Sequence, residues 1–427
     1  MAITLIKKIL NKNLQYNLLS LINVFIGFLF IVMLGRKFGA SNKTDIYFLS
    51  MTIVAYLGYF IQSIWEAMSP YYIELKVKDK KKSDELYSIL LNDLILISLL
   101  IVSLYFGITY LFKFLSNETK QFLDIFIFYI IFQNILLLNK TVLNLEHFYA
   151  SFYLVDIFVY TLLFVTVILI NTDEFYFIAY TTIFATLLAN IWQFYLIFKK
   201  LNINYSFKFY DDSLKEIYKN SFKLKIGSLF YGSKDIIIAS VFTSFGSGVY
   251  SLYSYANKFA GVILQVVNAP IVNIFATKAT YHVVNNRYDL LKKDIKKVLF
   301  QTTNLFVGSA IITYIILPFI LSFLFGNKFS NEDILTIKNI FLVMIIFYFI
   351  IILESPFSRL ISIFKLFNFG ILINTVFAII LFVAYIVFKY LNFNYIIFLF
   401  IMIFAQISNL SFAYIGYKYF LKEKNEV

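Results

Sequence analysis

The chain has 427 residues, of which 61% are hydrophobic, 20% aromatic and only 14% charged, with a formal net charge of +13. A water-soluble domain of this length has too little interior to hide so much apolar side chain, and a mean hydropathy of +0.80 places the chain among membrane proteins. Cysteine is absent, which excludes disulfide frameworks, thiol nucleophiles and thiolate metal sites. The two histidines, His147 and His282, fall near expected span ends and give no basis for a metal site.

In chain order, Ile3 to Leu10, with Lys7 and Lys8, predicts a short interfacial helix. No small-residue cleavage site follows it, so the first span is expected to stay in the protein. From Leu18 onward charge almost vanishes for about 20 residues at a time, the length needed to cross hydrocarbon as a helix. The runs predict twelve spans, near 18–35, 46–65, 86–112, 122–143, 152–170, 175–198, 226–243, 248–276, 298–325, 334–353, 367–388 and 393–421. They are continuous rather than alternating, which is the helical pattern, and an isolated span in lipid must satisfy its own backbone. The expected fold class is therefore an all-α polytopic membrane protein with about twelve transmembrane helices.

Positive flanks are held on the cytoplasmic side of a membrane. With both termini inside, cytoplasmic segments hold 27 of the 37 lysines and arginines and outer segments hold 8; Lys234 and Lys258 lie inside spans. That bias predicts a multi-pass protein with both termini cytoplasmic, and residue usage heavy in Ile, Lys, Asn and Phe points to an AT-rich bacterial genome and so to a bacterial cytoplasmic (inner) membrane. The cations are spread over successive loops rather than gathered on one face, so the bilayer, and not nucleic acid, is the partner that the charge implies.

Two stretches about 200 residues apart are alike. FIVMLGRKFGASNKTDIYFLS and a later MSPYYIELK in the first half correspond to IIIASVFTSFGSGVYSLYSYANKF and NAPIVNIFATK in the second. Phe38-Gly39-Ala40 aligns with Phe245-Gly246-Ser247, and Ser69-Pro70 with Ala269-Pro270. This predicts two parallel six-helix repeats: an N-terminal lobe over 1–198, a cytoplasmic linker over 199–225 with an amphipathic piece from Asp211 to Lys223, and a C-terminal lobe over 226–427.

At these residues the chain resembles the multidrug/oligosaccharidyl-lipid/polysaccharide (MOP) exporter superfamily, with most likeness to its lipid II flippase branch and the polysaccharide-repeat flippases. The match rests on LGRKFGASNKTDIYF at Leu34 to Phe48 and on YSYANKF at Tyr253 to Phe259 with Pro270 beyond it. The resemblance implies a flippase, and not an enzyme, that moves an undecaprenyl-diphosphate-linked oligosaccharide to the outer leaflet by alternating access. Departures are specific. Phe30 and Tyr56-Leu57 stand where lipid II flippases carry arginines, Lys258 replaces an arginine, and Gly261 replaces a glutamate found in some members. The two extra C-terminal helices of that branch are also not expected. These differences favour a surface-polysaccharide substrate over lipid II.

An anionic headgroup requires a cation in a wet cavity, and Lys258 is the expected contact. Asn23, Gln62, Asn134, Gln265 and Asn268 are in-span polar residues able either to bind sugar hydroxyls or to hydrogen-bond between helices. Gating or ion coupling is expected of Arg36, Asp45, Glu66, Lys234, Asp235, Glu354, Arg359 and Asn374. Asp45 is equally a helix cap, and Glu354, Pro356 and Arg359 are expected to interrupt the tenth span and pair locally. The resemblance implies a sodium site at Asp235 and Asn374, but Ala378 stands where its second acid belongs, leaving the set incomplete. No other cofactor is expected. The partners are a lipid-linked glycan, the bilayer and glycan-assembly enzymes, and the protein is expected to act as a monomer. A drug/cation antiporter of the same architecture and a membrane enzyme of glycan assembly remain the competing readings.

Overall fold

The computed structural model describes the backbone of all residues but Met1, 112–114, 211, 365, 392–393 and 426–427. Side-chain surroundings are described outside 1–17, 60, 62–63, 65–67, 70, 212–213, 220–221, 223–225, 228, 269, 284, 327, 367 and 422–425. Gln62 and Glu66 therefore lie outside the described residues, as do the side chains of Ile3 to Leu10.

Thirteen helices account for nearly all of the described chain: α1 Ala2–Phe38, α2 Asn42–Lys78, α3 Lys80–Leu111, α4 Asn117–Phe126, α5 Tyr129–Leu145, α6 Tyr149–Leu169 and α7 Phe177–Tyr195 in the first half, then α8 Asp212–Thr243, α9 Val249–Val284, α10 Tyr288–Phe325, α11 Asn331–Ile363, α12 Phe367–Leu391 and α13 Tyr395–Asn425. Among the described residues ten stretches are long and apolar enough to cross a membrane; α4 and α5 together form one of them. The fold is that of an all-α polytopic membrane protein.

Three local expectations are corrected. The opening segment is not a separate interfacial helix: no glycine or proline interrupts residues 2–26, and α1 runs unbroken to Phe38. The fourth span is broken at Ile127–Phe128, where tight turn bonds such as Ile130 N–H to Ile127 O replace the regular ladder. The amphipathic piece after residue 211 is the first part of α8 and continues into the seventh span. Gly227 lets α8 sit close to α12 there, since a Cβ would lie 3.1 Å from Asn374 Nδ2 and 3.3 Å from Ile371 Cα.

The chain divides into two compact units. The first comprises Met1–Gly39 and Leu49–Phe222, the second Ala40–Phe48 and Lys223–Val427. In the first, α1 packs on α6, and α5 and α6 pack on α7. Its apolar core draws Met68 and Tyr72 of α2, Leu90 and Leu94 of α3 and Leu138 and Val142 of α5 against Ile217 of α8. In the second, α11 is the central helix, packed on α9, α10, α12 and α13.

Within the first unit the segment after α7 is held extended along α3. The Asn204 N–H donates to Asp84 Oδ2 (3.1 Å), the Ser206 N–H to Ser88 Oγ (3.1 Å), and Asn92 Nδ2 donates to the Lys208 carbonyl (2.9 Å). Four helical residues rise about 6.0 Å and two extended residues about 6.6 Å, so every fourth side chain of α3 meets every second peptide of the strap. Lys208 adds an ion pair to Glu85 at 2.8 Å. Farther on, Tyr218 donates to Asp93 Oδ2 at 2.6 Å. Burial, reinforced by that carboxylate, holds the Tyr218 phenol above its ordinary pKa.

In the second unit, Asp45 caps a helix other than its own. Its carboxylate accepts the backbone N–H of Gly248 on Oδ2 and of Ser251 on Oδ1, both at 2.6 Å, at the start of α9. Thr44 Oγ1 donates to Ser251 Oγ at 3.1 Å. An acid here satisfies orphan donors and sits favourably in the N-terminal dipole of α9. Gly248 adopts φ 89°, and a Cβ on it would lie 2.6 Å from the Ala40 carbonyl oxygen, so only glycine lets the two segments meet. Below this cap Tyr255 packs edge-on against Phe48, with ring centroids 5.4 Å apart.

Asp45→Ala is expected to destabilise the protein by about 2 kcal/mol, because two buried N–H groups lose their acceptor. Asp45→Asn, which keeps one acceptor, should lose roughly half as much. Thermal unfolding in detergent measures both, and equal stability of Asp45→Ala and the parent would refute the cap.

Candidate substrate and coupling site

Helix α9 carries the candidate cation. Lys258 is solvent-accessible, and among the described residues no carboxylate is within ion-pair distance of it. Its neighbour Asn257 accepts a hydrogen bond from Tyr348 of α11 at 2.5 Å, which fixes this turn of α9 against the central helix. Gly261, one turn farther on, leaves Tyr348 Oη 3.7 Å from the position a Cβ would take. Gln265 on the same helix is exposed, whereas Asn268 is turned inward and donates to Ser355 of α11 at 2.9 Å. Asn268 Oδ1 is buried with no partner among the described residues.

The remaining polar groups of the second unit form a chain across three helices. Lys234 and Asp235 of α8 approach to 3.3 Å, and the Lys234 ammonium lies 4.3 Å from the centre of the Tyr231 ring. Tyr231 donates to Gln406 Oε1 of α13 at 3.4 Å, and Gln406 Nε2 donates to the Glu354 carboxylate of α11. Gln406 therefore joins α8, α11 and α13 through opposite ends of one amide. Helix α11 runs unbroken through Pro356, contrary to the expected interruption, since proline removes one intrahelical bond and tight packing holds the rest. The described partner of Glu354 is Gln406. Arg359 lies one turn beyond Glu354 on α11, and Asn374 of α12 lies against Gly227.

The first unit holds a charge cluster of its own. Lys140 of α5 forms an ion pair with Asp156 of α6 (2.8 and 2.7 Å), Asn23 of α1 donates to the same carboxylate at 3.4 Å, and the Lys140 ammonium lies 4.3 Å from the centre of the Phe152 ring. Lys140 is only 4% exposed. Asn134 donates to Ser98 Oγ at 3.0 Å. Arg36 is exposed near the end of α1, and both carboxylate oxygens of Asp45 are engaged by α9.

The structure thus brings Lys234, Asp235 and Glu354 into one connected set with Tyr231 and Gln406, and ties Asn23 to Lys140. Asp156, Gln406, Tyr231 and Tyr348 are missed from the sequence. A carboxylate in the middle of an apolar span is the signal that marks Asp156. The tyrosines carry no such signal in a chain with 33 of them.

This all-α polytopic arrangement is shared with solved structures of other proteins. The fold is that of the MOP exporter superfamily. The chain is similar to a lipid II flippase, MurJ, in an inward closed conformation, with a TM-score of 0.78 and 18% identity over 95% of this chain and 87% of that one. It is also similar to an inward-facing multidrug resistance MATE family transporter of the MOP superfamily (TM-score 0.71, 13% identity, 94% and 93% covered). A third similar structure is a MOP superfamily transporter from Pyrococcus furiosus whose binding pocket is described as reversed in polarity (TM-score 0.57, 12% identity, 94% and 90% covered). No family model and no curated protein matches the sequence.

The Lys140–Asp156 pair yields a sharp test. Lys140→Met or Asp156→Leu alone is expected to destabilise the protein by about 3–5 kcal/mol by leaving a buried charge unpaired, while the double replacement should recover most of the loss. Unfolding in detergent gives the coupling; additive losses would show that the two side chains do not act as a pair.

Proposed function

We propose that the protein is a flippase that carries an undecaprenyl-diphosphate-linked oligosaccharide from the cytoplasmic to the outer leaflet by alternating access, serving surface-polysaccharide synthesis in a bacterial inner membrane with both termini cytoplasmic. The observation that carries this reading is Lys258: an accessible ammonium in the middle of a span, without a described carboxylate, is costly unless water or an anion meets it. A diphosphate headgroup is such an anion. The likeness to a lipid II flippase supports a lipid-linked, diphosphate-bearing substrate class. Lipid II itself is the second reading, since it shares that headgroup chemistry. A cationic drug suits this site poorly, because Lys258 repels it.

In this reading Asn23, Asn134 and Asn268, each with a buried amide oxygen that has no described partner, are the sugar contacts that geometry supports, and Gln62 and Gln265 are secondary candidates. The Lys234–Asp235 pair and the Gln406–Glu354 contact are assigned to gating or ion coupling, with Arg36, Asp45, Glu66, Arg359 and Asn374 as lesser candidates. Sodium is the coupling ion only if Asp235 and Asn374 hold it without a second acid. After headgroup release the emptied site regains the full charge of Lys258, so an inside-negative potential favours its return, by about 2.3 kcal/mol per charge per 100 mV.

Complementation in two bacterial strains tests the function, one depleted of its lipid II flippase and one lacking a surface-polysaccharide flippase. Rescue of the second alone is expected; rescue of the first alone would make lipid II the substrate. Lys258→Ala should lower transport by roughly 10- to 100-fold, with Lys258→Arg retaining most of it, and undiminished transport in Lys258→Ala would remove the assignment. In vesicles, collapsing a 100 mV potential is expected to slow the parent by up to about 50-fold and the Lys258→Gln variant much less.

A further inference from the structure

A second binding feature lies on the outer face of α10 and α11, away from the residues assigned above. Phe306, Ala310 and Phe341 are buried and form its floor, while Val307, Ile311, Leu342 and Ile346 stand exposed as walls. The groove holds about 270 Å³ of free space and its lining is almost wholly apolar. From Phe306 to Tyr314 it runs along α10 for eight residues, about 12 Å, close to half the roughly 30 Å thickness of the hydrocarbon. That length fits part of one acyl chain within one leaflet.

One end of the groove is cationic. Tyr314 lines that end, and the Lys338 ammonium lies 4.6 Å from the centre of its ring. Lys338 precedes Phe341, Leu342 and Ile345 by three, four and seven residues on α11, so it shares their face of the helix. Among the described residues no carboxylate is within ion-pair distance of it. A snorkelling lysine alone would reach for headgroups anywhere along the helix; here an aromatic ring fixes it at the mouth of an apolar slot.

We propose that this groove is a specific site for an anionic phospholipid of the surrounding bilayer, with one acyl chain in the α10–α11 slot and its headgroup phosphate on Lys338. Length and charge together select this occupant: the slot matches one leaflet, not a long polyprenyl tail, and the single cation answers a phosphate. On the topology proposed above, Lys338 lies toward the outer leaflet. The site is independent of the flippase reading and would hold for any transport substrate.

Native mass spectrometry of the full-length protein in detergent, titrated with phosphatidylglycerol or phosphatidylcholine of the same chains, tests it. One tightly retained phosphatidylglycerol is expected, with phosphatidylcholine binding more weakly. Lys338→Gln should lower that retention about fivefold, to the phosphatidylcholine level, and Lys338→Arg should preserve it. Ala310→Phe, which fills the floor, should remove the retained lipid of either headgroup. Equal binding of the two lipids by the parent, or an unchanged preference in Lys338→Gln, would overturn the proposal.

Discussion

Hydrocarbon offers no hydrogen-bond partners, so every polar group that enters it must be met from within the chain. Backbone groups meet this demand by forming helices, and side chains meet it by two further routes. Serine and threonine fold back on their own helix: Thr182, Thr186, Ser240 and Thr302 each donate to the carbonyl four residues earlier. Longer amides cross to a neighbour. Tyr87 donates to Asn139, Asn139 to Asn190, and Asn190 to the Phe132 and Thr186 carbonyls, joining α3, α5 and α7 in one buried string. Because helix–helix association in lipid lacks a strong hydrophobic drive, such bonds help to fix which faces meet.

Charges obey the same demand more severely, and the partners they find separate scaffold from site. Asp45 is satisfied by the N-terminus of α9, and Lys140 by Asp156 with Asn23 beside it. In both arrangements the charge meets its partners on another segment of the chain, and both hold helices together. Lys258 is open: it lies on an accessible face with no described carboxylate in reach. Glu354 and Gln406 stand between these cases, since the amide satisfies one carboxylate oxygen and is itself held by Tyr231. A change in the charge of Glu354 would alter what the amide can donate or accept, and through it the contact to α8.

Much of the fold was legible in the sequence because loss of charge over about 20 residues is a local, one-dimensional signal. Spans such as those in α6, α10 and α12 follow from it directly. What depends on helix rotation was not legible. The Lys140 pair is one case, because hydropathy cannot show that the next helix presents Asp156 to it. Asp45 reads as a cap for its own helix, while its acceptor atoms serve α9, some 200 residues later. The strap along α3 was hidden for a related reason: it needs the near equality of four helical and two extended residues, and neither segment shows that alone. Within the candidate site, Lys258, Lys234, Asp235 and Glu354 are visible as charges in apolar runs, but Tyr231 and Gln406, which connect Lys234 with Glu354, are visible only in three dimensions.

The two units handle the cations inside their spans differently, and this bears on where an anionic headgroup would be received. In the first, the ammonium of Lys140 is held by a carboxylate on the adjacent helix and shielded by Phe152, so its charge is already answered. In the second, Lys234 has the neighbouring carboxylate of Asp235, leaving Lys258 as an additional positive charge. An incoming diphosphate gains little by competing for Lys140, because it would have to displace an internal carboxylate and leave it buried. At Lys258 no described carboxylate has to be displaced. On the proposed function the second unit therefore receives the headgroup.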